Sequence, residues 1–404
     1  MVLMKVISFQ DMEIDMHYID YTMDFLKNKL KENCVLCVGF GDNPYFKYDA
    51  DIKHEHDEIF ILESGKKNND KTIIVTDKDI EKIEIDKNIP IFMSRVFEHL
   101  WSYGDNISKL SKITNKLYLV VPDMKRVYKE HILPNLEKVN EIGCPFERFN
   151  RDIIEIFSAS EEEGSLSDLH AIWTDENSMR VLLPKPWFTI NEMSRIENIN
   201  GYPHLFLEVS VNEELPWEKA NLLFKYNYSK PLTHLETIID IKKLTDYPGL
   251  IHRDNVDYWD IEVTSRVSPN ESVMVLENNF ADVNTSDSGY CVYSLSGCIP
   301  KGGLVCVAEM DCNKLIQKLI NKKYNGAVDF FKLNNELFTP NHFHTPTKRL
   351  GWTSPEYIKV VCEWEGLFKE IKVSDINSEI QKNYILCLHA SLEENQFVKI
   401  FEKI

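Results

Sequence analysis

The segment Cys34-Val-Leu-Cys-Val-Gly-Phe-Gly-Asp-Asn-Pro44 runs from an apolar stretch straight into a Gly-x-Gly turn. A strand that ends this way lets a ligand come close to bare backbone, because no Cβ stands in the way. Gly39 and Gly41 are therefore candidate cofactor-binding residues. About 20 residues further on, Glu63 closes a second apolar run, where a carboxylate can accept hydrogen bonds from both hydroxyls of a ribose. Asp77 closes a third run, placed to accept from an adenine amino group. Ser94-Arg-Val-Phe-Glu-His99 follows a fourth, where the reacting end of such a ligand would lie.

The elements that must position these residues alternate. Tyr18 to Leu30 has helical spacing of its apolar residues, and the run from about Arg95 reads as another helix. Residues 35–38, 58–63, 71–77, 89–93 and 116–121 read as short strands, the last stopped by Pro122. Strands apolar on both faces and separated by helices predict an α/β fold with a mainly parallel sheet. In such sheets ligands bind beyond the carboxyl ends of the strands, near the topological switch point.

Composition narrows the partners. A chain of 404 residues predicts two or three domains. A net charge of −18 argues against bulk nucleic-acid binding, which needs a positive footprint. No apolar run approaches the length of a membrane span. The early acids Asp11, Glu13 and Asp15 do not fit a secretory signal. Nine scattered cysteines, many inside apolar runs, predict reduced thiols and a cytoplasmic protein.

Taken in order, the pieces resemble a class I S-adenosylmethionine-dependent methyltransferase. They are Val38-Gly-Phe-Gly-Asp-Asn-Pro44, Glu63, Thr76-Asp77, Ser94-Arg-Val-Phe-Glu-His-Leu100 and Leu119-Val-Val-Pro-Asp123. The resemblance covers roughly residues 15–212. It implies a Rossmann-like domain that binds S-adenosylmethionine through Gly39, Gly41, Glu63, Asp77 and Ser94. It also implies methyl transfer to a small-molecule, sugar or protein acceptor. Where the acceptor must lose a proton, His99, Asp123 and His170 are the candidate catalytic residues. The chain departs from the family at Cys37, where many members place an acid, and at Asp42, where a third glycine is usual. Two alternatives follow: a non-catalytic pseudo-methyltransferase serving as a structural or interaction module, and a nucleotide-binding oxidoreductase.

Part of the pattern recurs. His170-Ala-Ile-Trp-Thr-Asp-Glu is echoed by Arg349-Leu-Gly-Trp-Thr-Ser-Pro, pairing Trp173-Thr174 with Trp352-Thr353. Trp187-Phe188 is echoed by Leu367-Phe368, the strand His204–Ser210 by Tyr384–Ser391, and Leu117–Met124 by Gly303–Met310. Repeats this long predict two tandem Rossmann-like, methyltransferase-type domains, 1–212 and 213–404. Carried back, the register sets Leu222–Tyr228 opposite the first glycine turn, with Lys225 and Asn227 at the glycine positions. It makes Leu235–Asp240 strand two and Leu250–Asp254 strand three. Strand four is then Ser272–Glu277 or Gly289–Tyr293. The second copy is thus expected to have lost cofactor binding, leaving it to cover the acceptor site, form a homo-oligomer or recruit a partner.

Other features read most simply as structure. Cys34-Val-Leu-Cys37 has the spacing of a metal or redox pair, but strand residues three apart face opposite ways. His54-Glu-His56 and His342-Phe-His344 lie in polar loops without a clear third ligand, and no metal site is assigned. Glu161-Glu-Glu163 reads as a solvated loop.

Overall fold

A computed structural model describes residues 3–8, 34–38, 58–63, 87–88, 90–100, 103–137, 152–153, 155–157, 170–199, 201–224, 251–254, 273–277, 280–282, 285, 288–338 and 351–404. The expected helix at 18–30, the turn with Gly39 and Gly41, the strand ending at Asp77, the segment 235–240 and both His-x-His pairs lie outside these residues. The chain forms two compact units. One comprises Met1–Tyr128, Glu162–Tyr226 and Lys322–Phe331; the other comprises Lys129–Glu161, Asn227–Asn321 and Lys332–Ile404.

The first unit is built on a seven-stranded sheet. Its strands are β1 (Leu3–Ser8), β2 (Cys34–Val38), β3 (Glu58–Glu63), β4 (Ile91–Ser94), β5 (Lys116–Pro122), β6 (Phe188–Ile199) and β7 (Tyr202–Val211). Their spatial order is β1-β3-β2-β4-β5-β7-β6. β2, β4 and β5 run parallel, with Val38 opposite Ser94 and Ser94 opposite Val120. β7 is antiparallel to both β5 and β6. β5 is apolar and buried from Leu117 to Val121, as a central strand covered on both faces requires. The helix Tyr103–Ile113 buries Tyr103, Ile107 and Leu110 at one-turn spacing, which gives it a single core-facing stripe.

The second unit has a five-stranded sheet. Its strands are β8 (Ile251–Asp254), β9 (Val273–Glu277), β10 (Leu304–Met310), β11 (Phe368–Glu370) and β12 (Gln396–Lys403), in the order β11-β12-β10-β9-β8. β8, β9 and β10 are parallel, and β12 is antiparallel to β10 and β11. Val273, Val275, Leu304 and Cys306 alternate along their strands and pack with Tyr384, Ile385 and Leu388 of the helix Glu379–Ser391.

Both sheets are mixed rather than mainly parallel. One antiparallel pairing falls where parallel strands were expected: β3 opposes β2, with Cys34 facing Leu62. The edge beyond β3 is taken by the N-terminal strand β1, parallel to β3.

The second half departs from its predicted register in several places. Residues 222 and 223 end the helix Trp217–Leu223 and are not the start of a strand. β8, expected as strand three, lies beside β9 as β2 lies beside β4, which is the place of strand one. Of the two candidates for strand four, 273–277 is β9, whereas 289–293 lies in the helix Ser288–Cys298. Tyr384–Ser391 belongs to a helix, and the closing strand is β12. The apolar run there has Tyr384, Ile385 and Leu388 at helical spacing, which a strand reading cannot use.

The echoed residues nonetheless make matching bonds. Thr174 Oγ1 donates to the Pro122 carbonyl at 2.7 Å, and Thr353 Oγ1 to the Met310 carbonyl at 2.6 Å. The Met124 and Cys312 N–H groups donate back to the Thr174 and Thr353 carbonyls. Trp173 and Trp352 are both fully buried. Asn212 N–H bonds the Trp187 carbonyl as Ile404 N–H bonds the Leu367 carbonyl. These bonds equate Asp123 with Asp311, two residues away from the register read from sequence. A slip of two preserves the strand's alternation of faces, so side-chain pattern alone could not detect it.

Candidate functional site

The carboxyl ends of β2, β4 and β5 form one edge of the first sheet. β2 neighbours β3 on one side and β4 on the other, so chain order reverses there, as it does at a switch point. From β4 the chain leaves through Arg95, whose backbone is left-handed (φ 54°) and whose N–H donates to the Val120 carbonyl at 2.8 Å. A non-glycine residue in that region is held there by its surroundings. Phe97–His99 then form one 3-10 turn.

The Glu98 carbonyl accepts two backbone N–H groups, from Ala171 at 2.7 Å and Ile172 at 3.1 Å. These bonds place His170 beside His99. Their rings meet edge to face with centroids 4.6 Å apart. Glu98 and His170 are buried, and His99 is partly exposed. One ligating atom from each of Glu98, His99 and His170 lies within 4.8 Å of the others. Two candidate catalytic residues thus come together, with a carboxylate that the sequence reading quoted in its motif but did not single out.

Asp123 leaves the same edge from β5 in a structural setting. Its side chain accepts from Arg126 N–H, capping the helix Met124–Val127. Burial, and then the neighbouring charges of Asp175 and Glu176, raise its pKa to about 6, against the opposing hydrogen bond and charge of Arg126. Its equivalent Asp311 caps the helix Cys312–Ile320 through Lys314 N–H. The same role in both units marks this acid as a helix cap.

In sequence His204 is only part of the strand His204–Ser210, with no sign of a site. It faces Pro122 across the β5–β7 pairing and is fully buried. Its Nδ1 lies 3.1 Å from the Tyr202 carbonyl. A carbonyl can only accept, so Nδ1 carries the proton and Nε2 the lone pair. Nε2 has no hydrogen-bond partner among the described residues. Burial, then the charge of Arg95, lower the pKa of His204 to about 3 and keep it neutral. A histidine in a strand carries no sequence signal for this; the pairing with β5 supplies it.

Ser94 ends β4 at the same edge, opposite Val38. Glu63 does not share it. With Cys34 opposite Leu62, the end of β3 lies beside the start of β2, across the sheet from where the glycine turn departs. The antiparallel register therefore separates Glu63 from Ser94.

No family model matches the chain, and no curated protein matches it. Solved structures that align with it include an S-adenosylmethionine-dependent methyltransferase from Anabaena variabilis, at 11% identity over 52% of this chain and 77% of that one, with a TM-score of 0.27. Haemonchus contortus phosphoethanolamine N-methyltransferase 2, solved in complex with S-adenosyl-L-methionine, aligns at 8% identity over 96% of this chain and 98% of its own, with a TM-score of 0.20. Its counterpart, phosphoethanolamine N-methyltransferase 1, aligns at 10% identity over 99% and 87%, with a TM-score of 0.25. Such scores do not establish a shared fold or a shared chemistry. The mixed α/β architecture rests on the two sheets themselves. Among the described residues, no helix is long and apolar enough to cross a membrane.

Proposed function

We propose that the first half of the chain is an S-adenosylmethionine-dependent methyltransferase acting at the carboxyl edge of β2, β4 and β5. One observation carries this reading. The parallel register Val38–Ser94–Val120 sets Val38, the residue before Gly39, beside Ser94, and the chain leaves Ser94 into the Phe97–His99 turn, where the His99–His170 pair stands. Gly39, Gly41 and Ser94 would cradle the cofactor, and Asp77 would accept from its adenine. The β2–β3 register counts against Glu63 as the ribose ligand.

Methyl transfer is an in-line displacement in which the protein chiefly positions two reactants. His99 and His170 stand where an acceptor proton would be removed, whereas the capping role of Asp123 argues against it as the base. The acceptor is a small molecule, a sugar or a protein, met by a cytoplasmic enzyme. The matching bonds around Thr174 and Thr353 support duplicated domains, 1–212 and 213–404. In this reading the second is degenerate.

Calorimetry of the full chain with S-adenosylmethionine and, separately, with NAD tests the proposal. Binding of the first alone is expected. Binding of NAD alone would favour an oxidoreductase, and binding of neither would favour the second reading, a non-catalytic pseudo-methyltransferase. Cys37, Asp42 and the position of Glu63 are the observations that support that second reading.

A further inference from the structure

We propose that Glu98, His99 and His170 hold one divalent cation per chain, and that this cation binds and activates the hydroxyl oxygen that receives the methyl group. The second clause rests on the methyltransferase reading; the first does not. The three ligating atoms lie within 4.8 Å of one another. Ligands about 2.1 Å from an ion stand at most about 4.2 Å apart, so small side-chain rotations close the set. Two imidazoles and one carboxylate suit zinc, manganese, iron or cobalt and leave coordination positions open for a substrate oxygen.

The set is held in place by the fold. Glu98 and His99 are consecutive in a single 3-10 turn, and the bonds from Ala171 and Ile172 N–H to the Glu98 carbonyl anchor His170 against that turn. Glu98 and His170 are buried, while His99 is partly exposed, so the cluster has an accessible side. A cation there would also offset the charge of a fully buried carboxylate.

The second unit has the frame without the ligands. Gly351 N–H bonds the Ala281 carbonyl as Ile172 N–H bonds that of Glu98. This correspondence equates Glu98 with Ala281, His99 with Asp282 and His170 with Arg349. One carboxylate in place of three ligands cannot form the same site there, so one ion per chain is expected from the described residues.

In the reaction, the hydroxyl oxygen coordinates the cation, which lowers its pKa; His99 and His170, engaged as ligands, then do not act as the base, and the proton passes to solvent water. The oxygen then forms the new O–CH3 bond as the S–CH3 bond of the sulfonium breaks. The sulfur keeps that electron pair and leaves as the neutral thioether.

Titrating the full chain, stripped with EDTA and dialysed, with Mn²⁺ and with Co²⁺ tests the site. One ion per chain is expected, with visible Co²⁺ absorption typical of nitrogen and oxygen ligands. Glu98→Gln and His170→Asn should weaken binding beyond the roughly 10- to 100-fold that loss of an outer-shell partner costs. His99→Ala, at the partly exposed position, is the variant least disruptive to folding, and circular dichroism checks each protein. Absence of stoichiometric binding, or unchanged binding in folded His99→Ala, overturns the site. Two ions per chain overturns its restriction to the first half. S-adenosylmethionine titrated in EDTA separates the two readings. Cofactor binding without any Mn²⁺ or Co²⁺ binding sinks the cation alone, and cation binding without cofactor binding sinks its role in methyl transfer.

Discussion

His99 and His170 meet edge to face, 4.6 Å between ring centroids and 72° between planes, although they belong to distant parts of the chain. Two backbone bonds to the Glu98 carbonyl make this contact. They meet at the edge where β2 ends at Val38, and the following expectations concern that edge and its frame.

Gly39→Val and Gly41→Val should abolish S-adenosylmethionine binding, because a branched side chain would occupy the cofactor's approach. Calorimetry on the folded variants measures this. Wild-type affinity in either would move the cofactor away from the turn.

Asp123 should make stability depend on pH. Its pKa is raised from 3.8 to about 6 by burial, so between those values the folded state holds more protons than the unfolded state. The stabilisation is present below about pH 4 and is lost as pH rises through about 6. Asp123→Asn keeps a helix-capping side chain and carries no charge. It should be more stable than wild type by about 1–3 kcal/mol at pH 7 and by little at pH 4. Urea melts at the two pH values decide it; an equal difference at both would mean that Asp123 does not titrate abnormally.

His204 should stay neutral far below the usual range. Its pKa is lowered from 6.5 to about 3, chiefly by burial, so the unfolded state binds the extra proton first. Its contribution to stability is complete above about pH 6.5 and falls as pH drops toward 3. Nitrogen-15 shifts of the ring should show the Nδ1–H tautomer unchanged from pH 7 to pH 5. A titration centred near 6.5 would contradict the buried environment.

Thr174→Val and Thr353→Val should each destabilise their own unit, and by similar amounts. Each removes one buried hydroxyl donor and leaves a carbonyl short of a partner, a loss of about 1–3 kcal/mol. Denaturation monitored in both variants checks this. A large effect in one and none in the other would show that the two bonds do not carry equivalent weight.

The sequence by itself determined the strongly patterned elements. β5 was legible because five successive apolar residues ending in proline leave few other readings. The Trp173–Thr174 and Trp352–Thr353 correspondence was legible because a buried tryptophan followed by a bonded threonine tolerates few substitutes. Tyr384–Ser391 was misread because a short apolar run satisfies either period until neighbouring elements choose one. The position of β8, the direction of β3 and the two-residue shift at β10 depend on pairing, which is a relation between distant segments rather than a property of either one. For the same reason only the tertiary structure decided the site. His99 and His170 were each visible as residue types, but the bonds to one carbonyl made them neighbours, and burial against β5 separated the neutral His204 from an ordinary strand histidine. Local pattern fixes which face a side chain takes, whereas proximity and the dielectric around a group arise only when remote segments pack together.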